Sequence, residues 1–216
     1  MSDAMNDSIR ALASELVGWS MEIGAPDRAV YDHERPAIEA LTAAFDISLT
    51  DLWTTLATSP EPVLRALAAH YPDLPRDVLE RMTSDPDFKV REAIAHDHRT
   101  PPMVLTLLSE DPDFWVREEV ASNPSTPPDT IAELARRESE SVYARDAWRD
   151  GATSMDIVGA LEEPFNVLLG VAHNPSARPE DVIVAQDAIE EVTRQAATAQ
   201  DPTSGVPQTP PLHPSR

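Results

Sequence analysis

The chain has no cysteine. That excludes disulfides, thiolate zinc sites, cysteine-ligated iron–sulfur clusters and cysteine nucleophiles, and removes any sequence evidence for an oxidising compartment. Glycine is scarce at 6 of 216 residues, and Gly18, Gly24, Gly151, Gly159, Gly170 and Gly205 are too scattered for a Walker or dinucleotide phosphate loop. Lys89 is the only lysine among 17 basic residues. No run of about 18 apolar residues occurs, and the opening MSDAMNDSIR is polar and acidic with no apolar stretch behind a basic start. Neither a membrane span nor a secretion signal is expected, and the expected address is cytoplasmic.

Positive charge is also short: 17 basic groups face 38 acidic ones, a net charge of −21. Segments 1–57, 58–138 and 139–200 each carry −7, so no acidic tail explains the total. Phosphate backbones and anionic membranes are repelled by such a chain unless a local basic groove exists. Nucleic acid and membrane are therefore disfavoured as partners, and a basic protein is favoured.

What the chain does have is a repeat. Pro60, Pro86 and Pro112 are spaced by 26 residues, as are Arg65, Arg91 and Arg117, then Ala69, Ala95 and Ala121, then Pro75, Pro101 and Pro127. Apolar columns keep the same register: Leu64, Val90 and Val116; Leu79, Leu105 and Ile131; Met82, Leu108 and Leu134. A degenerate fourth copy follows with a slip, Arg145 lying 28 residues after Arg117, and a fifth recovers the turn, His173-Asn174-Pro175-Ser176 matching Ser122-Asn123-Pro124-Ser125 with Leu168 in place of arginine.

Each unit holds two short helical segments. In the third, Val116 and Val120 share a face, Asn123-Pro124 ends the first helix, and Pro127-Pro128-Asp129 opens the second, which buries Ile131 and Leu134. Such a hairpin cannot bury its own apolar face, so units must stack into a solenoid. The expected fold is all-α: about five degenerate repeats of 23–28 residues over 58–185, an N-terminal helical cap over 1–57, a capping helix over 186–200 and a disordered Pro-rich tail over 201–216. In the N-terminal cap, Ile9, Leu12, Leu16 and Trp19 share one helical face; Ile38, Leu41 and Phe45 line a second helix; Ser48 or Thr50 caps a third with Leu52, Trp53 and Leu56. Within Glu180 to Gln200, Val182, Ile183, Ile189 and Val192 form the apolar set of the last helix.

DPDFKVREAIAHDHRTPPMVLTLLSE and DPDFWVREEVASNPSTPPDTIAELA resemble leucine-rich repeat variant units, a HEAT-like family that alternates α- and 3₁₀-helices in a right-handed superhelix. The resemblance covers about residues 58–185, clearly for three units. That family's founding description includes a cysteine-ligated iron–sulfur module, which this chain cannot build, so no cofactor carries over. HEAT-like repeats share an Asp six residues before an Arg, matched by Asp85 with Arg91 and Asp111 with Arg117, while Ser59 and Ser139 stand ahead of Arg65 and Arg145. The resemblance implies a ladder of hydrogen bonds between repeats.

The Arg65, Arg91, Arg117 and Arg145 column is thus read as a structural ladder in preference to a stripe for phosphate or acidic peptide. His70, His96 and His173 share one turn position; adjacent helices lie about 8–10 Å apart, too far for one zinc ion to bridge. His96-Asp97-His98 lacks a third ligand, so no metal site is expected. No activated nucleophile or carboxylate pair stands apart from the acidic surface, so no catalytic residue is assigned. Phe88, Phe114 and Phe165 are read as packing residues. Trp115, which precedes a core valine, is read as an outward anchor for a partner, with Tyr143 and Trp148 as further candidates. The expected function is a non-enzymatic interaction scaffold for a basic protein. A narrower version neutralises a basic effector, as an immunity protein or antitoxin does. The contrasting enzyme class, a HEAT-like DNA glycosylase, needs clustered Lys/Arg for its grip.

Overall fold

A computed structural model of the chain describes residues 42–71, 74–144 and 154–200, together with Ser8, Ala11, Pro36 and residues 38–40. The expected first helix with Leu12, Leu16 and Trp19, the ladder position Arg145, the candidate Trp148 and the tail 201–216 lie outside the described residues. Of Tyr143 only the backbone is described, near the end of a helix.

The described residues form helices and no strand. After a helical stretch over residues 42–45, Asp46 takes a left-handed φ of 53° and Ile47 N–H returns to Thr42 O at 3.1 Å, closing that stretch as a Schellman-type end. Helices α1 (Leu49–Leu56), α2 (Pro62–Ala69), α3 (Arg76–Met82), α4 (Phe88–His96), α5 (Pro102–Leu108), α6 (Phe114–Ser122), α7 (Pro128–Ala144), α8 (Ser154–His173) and α9 (Pro179–Gln200) follow.

Local signals set the helix ends. Ser48 caps α1 by accepting Asp51 N–H at 3.0 Å, while Asp87 and Asp113 cap α4 and α6 by accepting the N–H of Lys89 and Trp115 at 2.9 and 3.1 Å. Pro62, Pro102, Pro128 and Pro179 open their helices, where a missing N–H costs nothing. The chain leaves α6 at Asn123, extended by the proline that follows it, and Thr126 Oγ1 donates back to Val120 O at 2.7 Å. Thr100 does the same for α4, donating to Ile94 O at 2.6 Å.

The first helices of successive units, α2, α4, α6 and α8, stack into one layer, and α3, α5, α7 and α9 lie behind them. Between the layers sits the apolar set read from the sequence, Val90, Val116, Val120, Leu105, Ile131 and Leu134, fully buried together with Ile94. At the N-terminal end, α1 seals the array by stacking Trp53 on Tyr71, ring centroids 5.2 Å apart.

Three expectations change. Among the described residues the degenerate fourth unit contributes no separate layer: α8 packs directly on α6, and Asn174 Nδ2 donates to Ala121 O and Asn123 O at 2.6 and 2.8 Å. Gly170 allows this approach, because a Cβ there would lie 3.0 Å from the Ala121 Cβ and 2.7 Å from Ser122 Oγ. Residues 139–144 instead prolong α7 and residues 154–163 prolong α8, so the described helices α2 to α9 stack as four two-helix units. Second, both helices of a unit are α-helical. Bonds of 3₁₀ type are confined to helix ends, such as Val104 N–H to Pro101 O at 2.8 Å in a first turn and Asp111 N–H to Leu108 O at 3.1 Å after a last one, since seven residues exceed what 3₁₀ geometry favours. Third, the last helix runs as read, from Pro179 to Gln200 as α9, but the boundary drawn at 185/186 between array and capping helix falls inside it, and Ile183 is 56% exposed.

Candidate interaction surface

Two ladders run along the first-helix layer, one at each end of its helices. At the N-terminal end, Arg65 Nε and Nη2 grip Asp85 at 2.6 and 2.8 Å while Nη1 donates to Ser59 O at 2.9 Å. Arg91 repeats this with Asp111 at 2.7 and 2.9 Å and with Asp85 O at 2.7 Å. Arg117 meets Glu138 at 3.0 Å and Asp111 O at 2.9 Å. Each guanidinium therefore takes the backbone carbonyl of the residue six positions before it; the carboxylate partners of Arg65 and Arg91 belong to the next unit, while Arg117 finds Glu138 on α7, the second helix of its own unit. The pairs Asp85 with Arg91 and Asp111 with Arg117 are thus not carboxylate–guanidinium partners. The third rung ends on Glu138, and Leu168 of α8, fully buried, offers no fourth.

At the other end, Asn123 Nδ2 donates to Ala95 O and Asp97 O at 2.6 and 3.0 Å, the pattern that Asn174 repeats on α6. Asp97 occupies this position one unit earlier and has no N–H to offer. Arg99 substitutes: it clamps Asp97 at 2.9 and 2.6 Å and donates Nη2–H to His70 O at 2.7 Å. This asparagine ladder was missed in the sequence, although the matched Asn123-Pro124-Ser125 and Asn174-Pro175-Ser176 turns carried its signal.

These rungs set the acid response. Burial pushes the Asp85 carboxyl up, but the Arg65 guanidinium and the Asp87 N–H outweigh it, so Asp85 titrates below its ordinary 3.8. Asp97 behaves alike: burial raises it, and Arg99 brings it below the same value. A carboxyl depressed in the folded state contributes stability that is complete above its unfolded value and lost as pH falls through the folded one. Thermal melts are therefore expected to hold steady down to about pH 5 and to drop below about pH 4, less steeply in Asp97→Asn.

The outer face of the first-helix layer differs from unit to unit. In α4, Lys89 Nζ lies 4.9 Å from the Phe88 ring centroid and pairs with Glu92 at 2.8 Å. In α6 the matching residues are Phe114, Trp115 and Glu118. Trp115 is 43% exposed, its ring 4.4 Å from that of Phe114. Glu118 is partly buried, and its Oε2 is shielded from solvent with no hydrogen-bond partner. Burial first, then the carboxylates of Glu119 and Glu92, hold Glu118 above the usual carboxylate range. Glu119 pairs with His96 Nδ1 at 2.7 Å. His96 and His98 ring centroids lie 6.4 Å apart, and no group of three or more His, Asp or Glu among the described residues is arranged to hold a metal ion. Phe88 and Phe165 pack against the core.

The second-helix layer carries a separate apolar feature. Met103 and Leu107, one turn apart on the uncharged α5, are 63% and 60% exposed, between the charged helices α3 and α7. Leu105 and Leu108, the apolar columns of this helix, face inward with Val104.

Residues 62–87 and 114–139 match the family model for the leucine rich repeat variant. The first and third stacked units are thus similar to leucine rich repeat variant units. The two matched stretches start at the first helices of the first and third units, 52 residues apart, which is twice the sequence period. No curated protein and no solved structure matches the chain. A stack of variant repeats supports a repeat-based interaction scaffold. Among the described residues no helix is long and apolar enough to cross a membrane.

Proposed function

We propose that this chain is a non-enzymatic scaffold whose acidic variant-repeat surface docks a basic protein. The observation that carries the reading is the fate of the cations. Arg65, Arg91 and Arg117 are consumed by the ladder. Arg76 pairs with Glu80, Arg81 with Asp77, Lys89 with Glu92 and Arg99 with Asp97. Arg136 pairs with Glu133 and Glu140, and Arg137 with Glu110. Every Lys and Arg between residues 58 and 138 thus meets a carboxylate within the chain, and the surplus charge is carboxylate. A phosphate backbone needs cations free to replace its counterions, which argues against the glycosylase reading. A basic partner gains from that surplus in steering and in register.

The test is recovery of partners from native lysate on the tagged chain, with nuclease present, at low salt and again at about 0.5 M, where screening reaches within a few ångströms. A basic protein recovered in near-equal amount and released by salt is the expected result. Acidic proteins or only nuclease-sensitive material would overturn the reading.

A further inference from the structure

The repeats themselves show what the outer face of α6 accepts. In α4 the cation is supplied from within: the Lys89 ammonium sits over Phe88 and pairs with Glu92 one turn on. The next unit keeps the aromatic ring as Phe114 and the carboxylate as Glu118, but the lysine position is Trp115. The ring and the acid of that site are therefore retained while its cation is gone, and Glu118 Oε2 has no hydrogen-bond partner. The neighbouring carboxylates do not fill the gap, since Glu92 is held by Lys89 and Glu119 by His96.

We propose that Trp115 and Glu118 form a docking site for an arginine or lysine side chain of a protein partner, which takes in α6 the place that Lys89 takes in α4. The aromatic pair offers its faces to the cation, and indole is the strongest such face among the side chains. Glu118 supplies the opposite charge at the i,i+3 spacing already used by Lys89 and Glu92. On α8, Leu168 takes the arginine position, so Leu169 takes the position of Glu118 in the next layer; it is 39% exposed, an apolar surface for the stem of a long basic side chain. This site rests on the acidic-scaffold reading and adds to it a place and a residue type.

The probe is a blocked hexa-arginine peptide, with hexa-glutamate as control, followed by calorimetry at low salt and by the NMR shift of the Trp115 indole N–H. Wild-type chain is expected to bind hexa-arginine with a saturable indole shift and to ignore hexa-glutamate. Glu118→Gln is expected to weaken binding at least about fivefold and to raise the melting temperature, because it removes a carboxylate held without a partner. Asp187→Asn deletes the same charge from the exposed face of α9 and is expected to leave the affinity within about twofold. Trp115→Lys rebuilds the α4 arrangement in α6 and is expected to lower peptide affinity while leaving the chain at least as stable. Binding of hexa-arginine that is unchanged by both Glu118→Gln and Trp115→Lys would overturn this site and leave the acidic scaffold standing. No binding by the wild-type chain would remove both.

Discussion

Arg91→Ala is expected to lower the stability of the array by roughly 3–5 kcal/mol, the largest effect of any single ladder substitution. The physical reason is what remains behind. Arg91 and Asp111 side chains are only 12% and 5% exposed, so removing the guanidinium leaves a carboxylate shielded from water and takes the donor from Asp85 O. A thermal melt is expected to show the transition falling by ~6–15 °C for a chain of this size. Arg91→Met combined with Asp111→Leu removes both charges together and is expected to recover much of the loss, because the desolvation of both ions disappears with their attraction. A melt unchanged in the single variant would show that the rung contributes nothing to stacking.

Asn123→Asp is the second large effect, at roughly 3 kcal/mol or more. The substitution keeps shape and removes the amide donor, so Ala95 O and Asp97 O, both now paired with Nδ2, face a carboxylate. The second unit shows the compensation: Asp97 stands in that position because Arg99, two residues on, clamps it and reaches the preceding unit at His70 O. Adding Ser125→Arg to Asn123→Asp transplants that solution, and the double variant is expected to melt well above Asn123→Asp alone. Denaturant unfolding of wild type, the two single variants and the double closes a thermodynamic cycle. Additive changes across it would disprove the equivalence of the two devices.

Much of this architecture was legible in the residues. The 26-residue period set the units, and the columns Leu64/Val90/Val116 and Met82/Leu108/Leu134 named residues that the structure buries. Trp115 was legible as outward-facing, since it directly precedes the fully buried Val116 on a helix. The ladder arginines were legible as a column, but their carboxylate partners were not: the motif suggested Asp85 for Arg91, and the guanidinium reaches 20 residues forward to Asp111. Glu118 was hidden among 38 acidic residues; only comparison of its column with Lys89 and Glu92 singles it out. Ile183 was read with the apolar set of the last helix and is exposed, because the direction an apolar side chain takes depends on which flank of its helix receives a neighbour.

The sequence by itself determined the first three helical units, the residues that open and close their helices, and most of the residues that face their shared core. Those choices are made over a few residues, by proline at a first helical position, by aspartate accepting a helix's first N–H groups, and by apolar side chains three or four apart. The tertiary structure alone decided that the last unit sits on the third, that Arg65 and Arg91 bind the acid of the following unit while Arg117 turns to Glu138 of α7, and that asparagine amides join successive turns. Spacing along the chain does not encode those partners. They depend on the distance between helices after stacking, which Gly170 permits at α8 and which the long α7 accommodates by carrying Glu138 to Arg117.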